Sequence, residues 1–235
     1  MLILASLCLA ALAAGSARAD DPHVFEADDA TVAKTCPGLV AWVGKHQPAV
    51  DLAPEPDRDS PAEPDLRAQL LGMVKEDQQI RGELFGPGKP LLTDNSDGMQ
   101  KLKAVDDKNL ATLYKVVADY GVPTRAAVGL DGLKAFWLLI QHAQDTRLQK
   151  RVLDAFNTAD SGVPLDEIAL LDDRINSNEG RPQKYGSQFH SEGKDMVMSP
   201  VEDEAHLDER REKMGLPPIA DYRCMLQLMY GGSAR

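Results

Sequence analysis

The stretch Leu133 to Asp145, LKAFWLLIQHAQD, constrains this chain more than any other. At about 100° per residue, Leu133, Phe136, Trp137 and Ile140 fall on one side of a helix, while Leu138 and Leu139 flank the other, where His142 also points. A helix that is apolar nearly all round has to be covered on both faces, so this one is expected at the centre of a multi-helix domain. Its polar end admits two readings. An imidazole beside a carboxylate has a fixed tautomer and a pKa that can be tuned for proton transfer. The more ordinary role of a lone histidine at a helix end is a hydrogen-bonded core or capping position. Asp145 stands at i+3 from His142 if the helix runs on, and before Thr146 it also fits the N-cap of the next helix.

Amphipathic segments surround this element. Leu66 to Phe85 reads as a helix through Leu66, Leu70, Met73 or Val74, and Ile80, with Asp77 and Arg81 as an i,i+4 ion pair. Met99 to Tyr120 carries Leu102, Val105, Leu110, Leu113 and Val117, and Gly121 with Pro123 closes it. Asp145 to Thr158 is a third helix, and Pro164 opens a fourth whose stripe is Leu165, Ile168, Leu171 and Ile175. Asp172 is expected on that stripe, with Asp173 and Arg174 on its flanks. From Arg181 to Ser199 the pattern changes, and Ser191-Glu192-Gly193-Lys194 resembles a tight hairpin turn. A charged helix over 206–214 and a last helix after Pro217-Pro218 complete the chain. The expected class is therefore mainly α: a compact multi-helix domain over 66–230 with one small β hairpin near 183–199.

The chain ahead of this domain differs in kind. Residues 1–19 read as a signal peptide, an uninterrupted apolar run closed by Ala17-Arg18-Ala19, which predicts a periplasmic or secreted protein. Residues 20–47 form a short helical extension, and 48–65 a proline-rich acidic linker. No later run approaches the roughly 18 apolar residues of a membrane span, so no integral membrane segment is expected after signal cleavage. Removing the leader leaves Cys36 and Cys224, a possible disulfide between the extension and the last helix.

The net charge of −11 argues against nucleic acid as a partner, because phosphate contact needs a basic surface. Nucleophile elbows, phosphate loops, dinucleotide fingerprints and zinc spacings are absent. The run Asp94-Asn95-Ser96-Asp97-Gly98 lacks the alternation and the twelfth-position Glu of an EF-hand and reads as turn and N-cap chemistry. Neither a metal site nor a cofactor is expected.

Six segments in order, EDQQIR (76–81), VDDKN (105–109), FWLLIQHA (136–143), LLDDRI (170–175), RPQKYGSQF (181–189) and DERREKMGLPPIADY (208–222), resemble an uncharacterised bacterial family known as a domain of unknown function, DUF6624. The resemblance covers about 66–222. Ser187 stands where the family usually has Thr, Leu170 where it often has Tyr, and Val122 where a Trp often precedes the proline. It implies that the hallmark positions here are Asp77, Gln78, Arg81, Asn109, His142, Asp173, Arg174, Gln183, Tyr185, Gln188 and Arg211. These supply a base, carboxylates, cations, amides and a phenol, every class that a site needs.

Two functional readings follow, each with an unknown small molecule or protein as partner. In the first, a hydrolase-like acid-base enzyme, His142 is the base and Asp145 or Asp173 orients it. Arg174 or Arg211 then holds an anionic group, and Gln183, Tyr185 and Gln188 bind substrate. In the second, the same residues form a non-catalytic ligand-binding or protein-interaction surface. A purely structural envelope scaffold, in which they pair only with one another, stands behind both.

Overall fold

The computed structural model describes residues 2–3, 29–46, 61–85, 96–158, 161–192, 195–230 and 233–235. The expected leader boundary and the linker up to residue 60 lie outside the described residues, as do Asp94 and Asn95. Nine helices and a small antiparallel hairpin appear among those described, in agreement with the expected mainly α class.

Helix α5 (Arg125–His142) is the centre. Thr124 caps its start by accepting a hydrogen bond from the Ala127 backbone N–H, and every residue from Ala135 to Ala143 is buried. Gly129 adopts φ 73° within it and kinks the helix, a conformation that costs a residue with a Cβ. Helices α3 (Pro64–Leu84) and α4 (Asp97–Asp119) pack on one side of α5, and α6 (Thr146–Phe156) and α7 (Leu165–Asn178) also contact it. Trp137, Phe136 and Leu133 are completely buried among them.

The stripes that make these helices pack are interrupted at two places that matter. On α3 the buried positions are Leu66, Leu70, Met73, Val74 and then Asp77, not Ile80. On α4 they are Leu102, Asn109, Leu113, Val116 and Val117. Both polar residues lie on faces that turn inward. Asp145 caps α6, accepting from the Arg147 and Leu148 backbone N–H groups and from the Tyr114 hydroxyl.

A second, smaller core joins α1 (Asp29–Thr35), α2 (Pro37–His46), the hairpin β2 (Phe189–Glu192) and β3 (Asp195–Met198), and α9 (Ile219–Tyr230), with Leu39, Phe189, Tyr222 and Leu226 inside it. Leu2–Ile3 (β1) adds an antiparallel edge to β2. Cys36, at the break between α1 and α2, is joined to Cys224 on α9 by a disulfide. A loop that long is worth about 5 kcal/mol in the chain-entropy model. Helix α8 (Leu207–Lys213) lies between the hairpin and α9 in the chain. No described helix is long and apolar enough to cross a membrane.

Candidate functional site

His142 ends α5 with only 4% of its surface exposed, and its Nδ1 lies 2.7 Å from Oδ2 of Asp77, which is fully buried on α3. Asp77 also accepts from Gln78 Nε2 at 2.7 Å and from Arg81 Nε at 3.1 Å. Arg81 reaches across to α4, where its Nη2 donates to Asp106 Oδ1 at 2.6 Å. Burial raises the Asp77 carboxyl pKa, but His142, Arg81 and Gln78 outweigh it and hold it at about 2. The carboxylate is therefore ionised and Nδ1–H donates to it. That fixes the tautomer and leaves the lone pair on Nε2. Burial and the Arg81 charge push the imidazole pKa down to about 4, against the pull of Asp77, so it is neutral at neutral pH.

No hydrogen bond meets His142 Nε2 among the described residues. The histidine lines a narrow crevice with Asp106, Asn109, Leu110, Leu139 and Ala143. Two of its companions are chemically unusual. Burial lifts the Asp106 carboxyl to about 6, with Asp77 adding to the rise and Arg81 opposing it. Asn109, 4% exposed, has no hydrogen-bond partner among the described residues on either Oδ1 or Nδ2. A buried amide left unmatched at both ends costs a few kcal/mol in a core. A base, a carboxyl group near its own pKa and an unmatched amide thus share one wall.

The remaining hallmark residues form a different cluster. Asp173 on α7 accepts from the backbone N–H groups of Lys184, Tyr185 and Ser187 and from Ser187 Oγ, all between 2.7 and 3.0 Å. Gln183 Nε2 donates to the Gln188 and Ser199 carbonyls, and its Oε1 accepts from the Gln188 N–H. Gln188 Nε2 donates to Ser187 Oγ. Arg211, fully buried on α8, donates to the Tyr185 and Pro217 carbonyls, and its guanidinium lies 4.9 Å from the Tyr222 ring centroid. Gly186 takes φ 68° at the turn, where a Cβ would come within 3.1 Å of Met198 Sδ. This loop is a closed hydrogen-bonded staple between α7, the hairpin and α8.

A family model described as a family of unknown function (DUF6624) matches residues 64–235. The chain belongs to that family. No curated protein and no solved structure matches it.

The family segment therefore holds both clusters, and the structure redistributes the residues expected to act together. Asp77, not Asp145 or Asp173, orients His142. Asp173, Gln183, Tyr185, Gln188 and Arg211 hold the loop together. Arg174 is buried beside Gln141, accepting no part in the loop's bonds. Asp172, expected on the α7 stripe, is only partly buried and meets Lys184 at 2.8 Å, while Asp173 and Arg174 face inward. Asp106 was not among the expected site residues. Its signal lay in its spacing, since it follows Leu102 by four and precedes Asn109 by three on one face of α4. Among the described residues, no group of three or more His, Cys, Asp or Glu side chains is placed to hold a metal ion.

Proposed function

We propose that this protein is an acid-base enzyme of hydrolase type acting outside the cytoplasm. The observation that carries the reading is the Asp77–His142 pair, whose Nε2 stays unengaged on a crevice shared with Asp106 and the unmatched Asn109 amide. His142 Nε2 takes a proton from water or substrate, and Asp77 stabilises the imidazolium that forms. Asp106, protonated below about 6, returns a proton to the leaving group. Asn109 offers a donor and an acceptor to the reacting group. The crevice walls stand too close to seat a water molecule, so α4 and α5 must part slightly for turnover. The signal-type leader and the Cys36–Cys224 bridge support the location.

The test is a panel of chromogenic esters, amides and phosphoesters presented to the protein and to His142→Asn and Asp77→Asn. The base must be neutral and the acid protonated, so the rate is expected to be bell-shaped with limbs near pH 4 and 6. His142→Asn is expected to lower it by about 10² to 10⁴. Turnover that survives His142→Asn contradicts the assignment.

The narrowness of the crevice favours a second reading, recognition of a partner without turnover. It predicts that His142→Asn alters stability while no substrate of the panel is converted by either protein.

A further inference from the structure

Arg174 is 3% exposed, yet no carboxylate pairs with it among the described residues. Its Nε donates to Gln141 Oε1 at 3.0 Å, and no hydrogen bond meets either of its Nη atoms among the described residues. The other end of the same amide, Gln141 Nε2, is buried without a partner. Burial lowers its pKa to about 10; the Tyr222 phenol opposes that fall and the Arg81 charge adds to it. The half-buried Tyr230 phenol stands within electrostatic reach of both guanidiniums.

Taking a guanidinium out of water without a counter-charge costs several kcal/mol. The other inward-facing arginines have more: Arg81 has Asp77 and Asp106, and Arg211, though its Nη2 is unmatched, has two carbonyls and the Tyr222 ring. Arg174 has one neutral acceptor. Its two Nη groups with their four N–H bonds and the adjacent Gln141 amide N–H pair are donors left without a hydrogen-bonded acceptor among the described residues. A guanidinium and an amide that converge with unmatched donors have the chemistry of an oxyanion site.

We propose that Arg174 and Gln141 form a binding site for an oxyanion, a phosphate, sulfate or carboxylate group, one residue along α5 from His142. That the anion is carried by a substrate of His142 rests on the acid-base reading; that it binds does not.

Inorganic phosphate, sulfate and acetate are titrated into the protein while its thermal midpoint and the ¹⁵N resonance of Arg174 Nε are followed. At least one is expected to give a saturable rise in midpoint and a saturable resonance shift. Arg174→Met is expected to weaken that binding about tenfold or more. Gln141→Glu provides a control that keeps the cation: its carboxylate falls where Oε1 now accepts from Arg174, so the midpoint should rise without ligand and the anion response should vanish. No saturable response in the unsubstituted protein overturns the proposal, and so does an equal response in Gln141→Glu. Saturable binding lost in Gln141→Glu, with no turnover of any substrate, would leave the anion site standing and remove only the acid-base reading. Turnover without anion binding would do the reverse.

Discussion

Two polar clusters in this chain are built from the same kinds of residue and end in opposite states. Around Asp173 nearly every buried donor meets an acceptor; among the described residues Arg211 Nη2 and the Nε of Arg223, within electrostatic reach of Arg211, are left over. Around His142 the leftovers accumulate: Asn109 at both amide atoms, Gln141 at Nε2, Arg174 at its Nη groups and His142 at Nε2. Satisfied networks specify structure, whereas unmatched buried groups persist where something else is to be bound. The contrast separates hallmark residues that hold the fold from those that face a reactant.

If the contrast holds, Asp173→Ala should have the largest effect on stability. It strands three backbone N–H groups and a hydroxyl, and about 3 to 5 kcal/mol is expected to be lost in urea unfolding. A loss under 1 kcal/mol would remove the distinction.

A smaller effect separates the two groups in the crevice by pH. His142 titrates at about 4 when folded and 6.5 when free, so the unfolded chain binds more protons between these values and stability rises with pH there. Asp106 titrates at about 6 when folded against 3.8 when free, and its contribution falls with rising pH in the same window. The two offset one another in the unsubstituted protein. Asp106→Asn removes the opposing contribution, and its stability should climb by about 2 kcal/mol from pH 4 to 6.5 relative to the parent. A parallel pH profile would show that the two groups do not titrate as described.

The smallest effect has the opposite sign. Asn109→Leu replaces an unmatched amide with a similar apolar volume and is expected to raise stability by about 1 to 2 kcal/mol. The same change in the loop cluster, Gln183→Leu, should destabilise, because Gln183 is bonded at both ends. Destabilisation by both would place Asn109 with the structural residues.

Much of the fold was legible because its signals are local. The all-round apolar character of α5, the Asp145 cap and the pairing of β2 with β3 each follow from spacing and turn chemistry. The family segments were legible as well, and they brought Asp77 and Asn109 into view. Their roles were not. Asp77 and Arg81 at i,i+4 already explain each other as a surface pair, which hid that Asp77 continues the stripe of Leu66, Leu70 and Met73. Asp173 looked like a site carboxylate because its partners are backbone N–H groups eleven to fourteen residues away, which no side-chain pattern displays. On α7 the expected Ile168, Leu171 and Ile175 are buried but Leu165 is exposed, and Asp173 takes the inward place expected of Asp172 because that helix is buried over more than one face, from Glu167 to Asn176.

His142 presents an unprotonated, unengaged Nε2 because Asp77 holds the proton on Nδ1. Imidazole ¹⁵N spectra of the protein across pH 3 to 8 test it without knowledge of any substrate. The account predicts a proton on Nδ1 throughout, a free Nε2 that titrates near pH 4, and loss of that tautomer in Asp77→Asn. A proton resident on Nε2 at neutral pH, or titration at the ordinary value of 6.5, would contradict it.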